Sequence, residues 1–499
     1  MPGIPLTHRS AVAAGALATL ALAGCASLGP ALPAPLPATP AAQWQAALPA
    51  ADPGAELKRW WQQFNDPLLT ALIDAAQAAS PSIADARSRI EQARAARVAG
   101  GAALGPTLDA SASATRGRLE LGAPVGTLAS AGLQATWEID LFGGSGARRD
   151  AAQARLEGAQ AQWHDARISV AAETASAYLA LRACEAQLAQ TEFDAASRAE
   201  TARLTALAAS AGFQAPASAD LARASAAQGS ATLTQQRAQC DLAVKSLVAL
   251  TAMPEPGLRA QLQPGRAQLP QPAQLGVAHV PAQALAQRPD LAAAERELAA
   301  AAADATQARA HRYPRVALAG AITPSRFEGG AVSTSGTLWN IGPLSVSLPL
   351  FDGGVRRAHA EAAQAAYEAA ATHYAASLRT AVREVEDALV ALHSTAARGD
   401  DARTAAEGFE RSYRAVESRY KGGLASLFEL EDARRSAVAA QAALIELQRE
   451  RVAAWISLYR ALGGGWVADD SQSPGGWTAD DPQARSGSSA GDPTAPPRS

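Results

Sequence analysis

Large side chains are scarce in this sequence. Aromatic residues make up 5% of its 499 positions, and only two methionines occur. That excludes a thick core of bulky residues over most of the length. Alanine dominates instead, which favours helices packed closely through small side chains. Strong charge of either sign is also missing: the formal net charge is −3. It becomes about −4 once a leader carrying Arg9 is removed. No basic patch points to nucleic acid. The seven histidines are scattered, and none stands in a His-Glu-x-x-His spacing. His359 and His373 fall on one predicted long helix, too far apart for one metal, and read as a solvated face. Gly143-Gly144-Ser145-Gly146 lacks the lysine and the preceding buried strand of a phosphate loop. No nucleophile elbow is present either. The reading is therefore no enzyme, no catalytic residues, no metal and no cofactor beyond a covalent lipid.

Three cysteines occur, and the first belongs to a processing signal. Arg9 precedes an apolar stretch, Ala11 to Leu22, too short to span a bilayer as a mature helix. It ends in Leu22-Ala23-Gly24-Cys25. This resembles the bacterial lipobox, in which cleavage leaves a lipid-bearing cysteine at the new N-terminus. Residues 1–24 are then a signal peptide and Cys25 the lipidation site. Ala26 in place of aspartate implies sorting to the outer membrane. Several acyl chains anchor firmly where one binds only marginally. Cys184 and Cys240 flank Gly212 at equal sequence distance. In an antiparallel hairpin they reach the same height. They read as two small residues in a helix seam, with a disulfide as the alternative in an exported protein.

What the chain does have is a repeat, about 210 residues apart. Trp137-Glu138-Ile139-Asp140-Leu141-Phe142-Gly143-Gly144 precedes Arg148-Arg149 and a long alanine-rich run. Ser347-Leu348-Pro349-Leu350-Phe351-Asp352-Gly353-Gly354 precedes Arg356-Arg357 and another. Ser80-Pro81 is echoed by Arg288-Pro289-Asp290, and Gly212 by Gly422-Gly423. Each copy reads helix, two strands, long helix, turn, helix. Alternating small and apolar residues run from Thr107 to Phe142, broken near Gly122-Ala123-Pro124. They recur from Arg315 to Leu350, with a break expected between Thr323 and Ser335. A membrane strand needs about 9–11 residues, so these lengths fit. Four strands cannot close a barrel, and open edges are not tolerated in lipid. Several chains are needed, and three supply 12 strands, an even number within the usual range.

The helices obey a matching arithmetic. Gly146 to Ala211 and Gly354 to Lys421 are each roughly 100 Å long at about 1.5 Å per residue. The flanking segments are about half as long: Pro67 to Gly100, Pro216 to Leu250, Ala282 to Arg312 and Leu427 to Leu462. Seven-residue spacings support rod packing: Leu156, Trp163, Val170, Ala177 and Cys184 form one line. Tyr367, Tyr374, Ala381 and Ala388 form a second, with Leu378, Val385 and Leu392 beside it. Val438, Ile445, Val452 and Tyr459 form a third. The resulting domain reading is a lipid-anchored extended linker at 25–58, repeat 1 at 59–253, a Pro-rich linker at 254–280, repeat 2 at 281–467 and a disordered tail at 468–499.

In this order and spacing the chain resembles the TolC-like outer-membrane efflux proteins, specifically the lipidated OprM- and NodT-like branch. The resemblance covers about residues 60–465. It rests on the duplicated unit, the Leu-Phe-(Asp)-Gly-Gly corners, Arg288-Pro289-Asp290 and the turn from Tyr420 to Ala433. It implies an α+β membrane protein, a homotrimer with a 12-stranded β-barrel in the outer membrane on a 12-helix periplasmic α-barrel. The implied partners are a periplasmic adaptor (membrane fusion protein), an inner-membrane transporter of the resistance-nodulation-division (RND) type, and outer-membrane lipid. The implied function is the passive exit duct of a tripartite efflux system for drugs or other toxic compounds. A type I secretion duct and a metal-efflux component are the alternatives.

The glycine turns at the far ends of the long helices then form the periplasmic tip. Gly212, Gly422 and Gly423 permit the tight reversal. Beyond the second turn stand Glu429, Glu431 and Asp432, and the first and last of these share a helix face. In a trimer that face presents a ring of carboxylates, which favours cations. The resemblance places Glu429 and Asp432 at the periplasmic gate and Tyr420 in the closed-state network. The first turn reads as a residue or two longer, with Asp220 corresponding to Glu429. Ala425 stands where some family members carry a basic lock.

Overall fold

The computed structural model describes residues 43–49, 57–118, 125–272, 281–330 and 332–467. The leader 1–24, Cys25, most of the 25–58 linker and the tail 468–499 lie outside the described residues. A 3-10 segment, Leu57–Phe64, opens the continuous part. Then follow α1 (Pro67–Ala79), α2 (Pro81–Ala102), β1 (Thr107–Gly117), β2 (Gly126–Ile139), α3 (Gly144–Ser210), α4 (Pro216–Thr251) and α5 (Glu255–Leu262). The order resumes with α6 (Pro281–Leu285), α7 (Pro289–Ala310), β3 (Arg315–Gly329), β4 (Val332–Ser347), α8 (Val355–Lys421) and α9 (Leu427–Ala461).

Several boundaries differ from the sequence expectation. The segment expected as one helix from Pro67 breaks at Ser80, whose hydroxyl caps the N–H of Ile83. The segment from Ala282 breaks before Pro289 in the same way. Proline at the first helical position disfavours helix for the residue before it, so each Pro ends one helix and starts the next. The strand break expected between Thr323 and Ser335 is far shorter, because β3 runs to Gly329 and β4 starts at Val332. Arg326 and Glu328, two apart on one strand face, pair at 2.6 Å, and the ladder continues through them, opposite Ser335 and Ser333 of β4. The Pro-rich linker holds a helix, α5, that buries Leu258 and Leu262.

The chain divides into two compact units, and each takes a portion of both repeats. The helices α3 and α8 begin in the first unit and end in the second. The first unit packs through small side chains. Ala300 and Ala305 of α7 and Ala151 and Ala161 of α3 are buried, and a Cβ on Gly100 would already touch Ala152.

The same unit holds one antiparallel meander, β1-β2-β3-β4, with β1 and β4 as its outer strands. Its register sorts the side chains. One face carries Leu108, then Leu133, Trp137 and Ile139, then Val316, Leu318 and Ile322, then Trp339, Ile341, Leu344 and Val346. The other carries Asp109, Ser111 and Ser113, then Ser130, Gln134, Thr136 and Glu138, then Ala317, Ala319, Ala321 and Thr323, then Asn340 and Ser345. One extra residue in β4 keeps the faces in phase: Leu318 pairs with Leu344 but Gly320 with Ile341. Pro343 lies in that bulge, a place suited to a residue without an N–H. Leu128, Val332 and Leu338 interrupt the small, polar face, as does Phe327, whose ring covers Gly126 and Gly329, where a Cβ would collide with it.

Aspartates cap both long helices at the corners. Asp140 accepts from the N–H groups of Ser145 (3.2 Å) and Gly146 (2.7 Å). Asp352 accepts from the N–H groups of Gly354 (3.0 Å) and Arg356 (3.2 Å) and from the Arg356 side chain. Those bonds, led by the Arg356 N–H, hold its carboxyl below the usual range. The two aspartates stand on opposite sides of the Leu-Phe pair in sequence, yet each meets the first turn of its helix.

The second unit packs through large side chains. Trp60 stacks on Tyr459 with centroids 5.1 Å apart, and Trp61 meets the same ring edge-on. Asp66 caps α1 through the N–H groups of Leu68 and Leu69 and accepts from the Tyr178 hydroxyl at 2.5 Å. Burial, then that bond, pushes the Tyr178 phenol well above its ordinary pKa. The buried Arg182 donates to the carbonyls of Leu262 and Pro264, both at 2.9 Å, tying the linker to α3. Arg288 donates to the last carbonyl of α9, at Ala461, and to Glu384. Glu386 accepts from the N–H groups of Gln45 and Ala46 at 2.7 and 2.9 Å, fixing that N-terminal stretch on α8.

Cys184 and Cys240 are bonded to each other, with Cα atoms 5.5 Å apart. This replaces the helix-seam reading by the disulfide alternative. The equal distances from Gly212 do bring the two to one height, and both side chains point across the α3–α4 seam. Peptide mapping without reductant is expected to recover the Cys184–Cys240 pair. Reduction is expected to cost about 2–4 kcal/mol, seen as an earlier loss of helical dichroism on heating. Recovery of both as free thiols would remove the staple.

Candidate functional site

The helix reversals both lie in the second unit. At the first, Gly212 takes φ +77°, its N–H donates to Ala209 and that of Phe213 donates to Ala208. At the second, Gly423 takes φ +75°, its N–H donates to Tyr420 and that of Leu424 donates to Arg419. Both are Schellman ends, in which a left-handed glycine lets the last carbonyls be satisfied. Gly422, expected to share this role, keeps φ negative, and its N–H bonds to Ser418 as a continuation of the helix.

Matching the glycines corrects the alignment of the turns. From Gly212 to the cap residue Ala215, and from Gly423 to the cap residue Ser426, the lengths are equal. The first turn is not longer. Asp220 therefore corresponds to Glu431, not to Glu429. The caps differ in chemistry: Ser426 accepts from the N–H of Glu429 at 3.2 Å, while Ala215 has no capping side chain and relies on Pro216.

The acidic residues separate into two groups. The side chains of Glu429, Asp432 and Asp220 are 52%, 63% and 69% exposed. Each has an arginine of its own chain nearby: Arg419 at 3.8 Å, Arg435 at 3.9 Å and Arg223 at 3.1 Å. Such exposed pairs contribute little. Arg419 also donates to the carbonyl of Leu424, so a basic residue does stand beside Glu429 although Ala425 is not one. Glu431 points inward instead, at 15% exposure, and is excluded from the exposed set.

Around Glu431 lies a buried polar cluster that draws on α3, α4, α8 and α9. Arg434, 2% exposed, bonds Glu431 and donates to the hydroxyls of Ser197 (3.2 Å) and Thr201 (2.9 Å). Arg198 donates to Asp194 (2.8 Å) and Ser225 (2.9 Å), and Ser225 donates to Glu431 (3.0 Å). The Tyr413 hydroxyl shares a bond with Ser197, and that of Tyr420 with Thr205, each at 2.7 Å. Tyr420, expected in a closing network, thus joins α8 to α3 within one chain. Beside these residues a cleft of about 230 Å³ is lined by Phe193, Glu200, Leu204, Glu417, Tyr420 and Lys421. Arg203 bonded to Glu200, with Lys421 adding to it, holds that carboxyl below its usual range.

Sequence reasoning missed this cluster, although its signal was present. The third seven-residue line, extended back from Val438, reaches Glu431, with Arg434 on the neighbouring seam position. The first line, extended past Cys184, passes Thr191, Arg198 and Thr205. The Leu378 line, extended, reaches Tyr413 and Tyr420. The seams stay in register and change from apolar to polar toward the turns. Among the described residues no group of three or more His, Cys, Asp or Glu side chains is placed to hold a metal. Replacing Arg434 by Met should destabilise the fold by about 3–5 kcal/mol, since it strands buried carboxylates. The neighbouring Arg435→Met should cost less than about 1 kcal/mol. Chemical denaturation of the two variants checks the contrast.

The arrangement can be compared with known proteins. The pattern of the outer membrane efflux protein family matches residues 72–253 and 280–464. Nodulation protein T of Rhizobium leguminosarum bv. viciae is 29% identical over 390 residues, spanning 77% of this chain and 80% of its own. The pyoverdine export outer membrane protein OpmQ of Pseudomonas aeruginosa is 29% identical over 461 residues, spanning 88% and 93%. Among solved structures, the outer-membrane channel OprN superposes with a TM-score of 0.78 at 28% identity, covering 88% of this chain and 99% of that one. The two matched stretches take in both copies of the repeat, and the chain is a member of the outer membrane efflux protein family.

Proposed function

We propose that three copies of this chain close a 12-stranded barrel over a 12-helix tunnel and form the passive exit duct of a tripartite efflux system. One observation carries the reading: a four-stranded meander with one apolar face, one small polar face and two outer strands, β1 and β4. Lipid offers no hydrogen bonds to an open edge, so β4 of one copy must meet β1 of the next. The face with Leu133, Trp137, Ile322, Trp339 and Leu344 then meets lipid, and the serine- and alanine-rich face lines the lumen. That lumen is too bland to select cargo. No described helix is long and apolar enough to cross a membrane.

Cys25 carries the lipid that holds the chain at the outer membrane. A periplasmic adaptor engages the turn end, where Phe213, Leu424 and Phe428 are exposed. An RND-type inner-membrane transporter supplies the energy. Glu429 and Asp432 of three copies form the acidic ring at the tunnel mouth, tempered by Arg419 and Arg435. The cargo class is small toxic organic molecules, supported by relatives named for solvent, toluene and antibiotic efflux pumps in Pseudomonas putida.

Two experiments test this. Purified protein in planar bilayers should conduct as a trimer, and Glu429→Lys with Asp432→Lys should weaken block by multivalent cations about tenfold or more. Conductance with unaltered block would remove the ring, and no conductance would remove the duct. A deletion strain should become sensitive to antibiotics and detergents. Sensitivity confined to metals, or loss of a secreted polypeptide alone, would reassign the cargo.

A further inference from the structure

Two arginines and two carboxylates form a square across the seam between α3 and α9. Its four groups are 2% (Arg434), 11% (Asp194), 15% (Glu431) and 17% (Arg198) exposed. The short edges of the square run along single helices. Arg198 meets Asp194 on α3 at 2.8 Å, and Arg434 meets Glu431 on α9 in direct contact. The long edges cross the seam: Arg198 to Glu431 at 3.5 Å, and Arg434 to Asp194 at 4.0 Å. Where Arg434 Nε faces Asp194 Oδ1, neither atom has a hydrogen-bond partner. What spans the seam tightly is neutral hydroxyl: Ser197 and Thr201 on Arg434.

We infer that Asp194 and Glu431 are positioning residues that neutralise each helix separately, so that α9 can leave α3 without stranding a buried charge. The inference rests on the duct reading for its purpose, since a gate must part somewhere along its helical seams. A seam held by crossed ion pairs resists opening. Its first separation leaves four lone charges between walls still too close to admit water, which is costly. Here each arginine keeps its closest acid on its own helix while the seam opens. Apart from the long Arg198–Glu431 contact, the bonds that must break are hydroxyl contacts, which water replaces readily. Both long edges remain in reach, so the square also has a second pairing, across the seam, that would hold it shut. The native choice of partners sets the ease of opening.

The test compares two charge-neutral double variants that share Arg198→Gln. Asp194→Asn with Arg198→Gln leaves Arg434 paired on its own helix with Glu431. Glu431→Gln with Arg198→Gln leaves Arg434 with only Asp194, across the seam. Trimer assembly is verified first, and opening frequency is then read in planar bilayers. The own-helix variant should open within about twofold of wild type, and the cross-seam variant at least about fivefold less often. Amide hydrogen exchange over 427–437 should follow the same order. Equal behaviour of the two variants overturns the inference, as does more frequent opening of the cross-seam variant. Failure of both to assemble overturns it too, because the square would then serve folding alone. A wild-type protein that never conducts sinks the duct reading, while the exchange comparison still judges the square.

Discussion

Backbone pairing is the constraint from which the rest of this protein follows. Every N–H and C=O placed in hydrocarbon needs a partner inside the protein. Four antiparallel strands satisfy their interior and leave two outer strands, β1 and β4. In the proposed barrel, the requirement for neighbours is thus written into strand number before any side chain is considered. Side chains then settle orientation. Register gives each strand one apolar and one small or polar face, and three ladders keep those faces aligned. The corners complete the logic, because a strand leaving the sheet must begin a helix at once. Each corner does so with a left-handed glycine and an aspartate aimed at the first helical N–H groups.

The two units solve packing differently. In the first, alanines such as Ala300 and Ala305 are buried, and Gly100 lies against the backbone of Arg148 and Arg149. In the second, Trp60, Trp61, Phe64 and Tyr459 fill a wider space, and Arg182 and Arg288 pin irregular segments by bonding carbonyls that would otherwise be orphaned.

Much of this was legible in the sequence. The repeat, the strand pairs, the long helices and the glycine reversals were readable because each rests on local chemistry: alternation, seven-residue spacing, or a residue that tolerates positive φ. Long-range facts were not. The bond between Cys184 and Cys240 depends on which faces of α3 and α4 meet, and spacing supplies only their heights. The match of Asp220 to Glu431 rather than Glu429 depends on which glycine turns left-handed, and Gly422-Gly423 offered two candidates. The inward turn of Glu431 could have been read by carrying the heptad lines into polar residues. An apolar-only search stops where the seam becomes polar.

The bulge in β4 has a consequence for how this sequence can vary. One additional residue between Ile341 and Leu344 keeps Leu344 and Val346 on the same side as Trp339. Removing a single codon there would turn the last stretch of the strand inside out. Leucine and valine would move to the small, polar face, and Ser345 and Ser347 to the apolar one. Most substitutions among the serines and alanines of this sheet would do far less harm. The gene is therefore more tolerant of spelling than of counting at this point, and indels are the changes that selection must police.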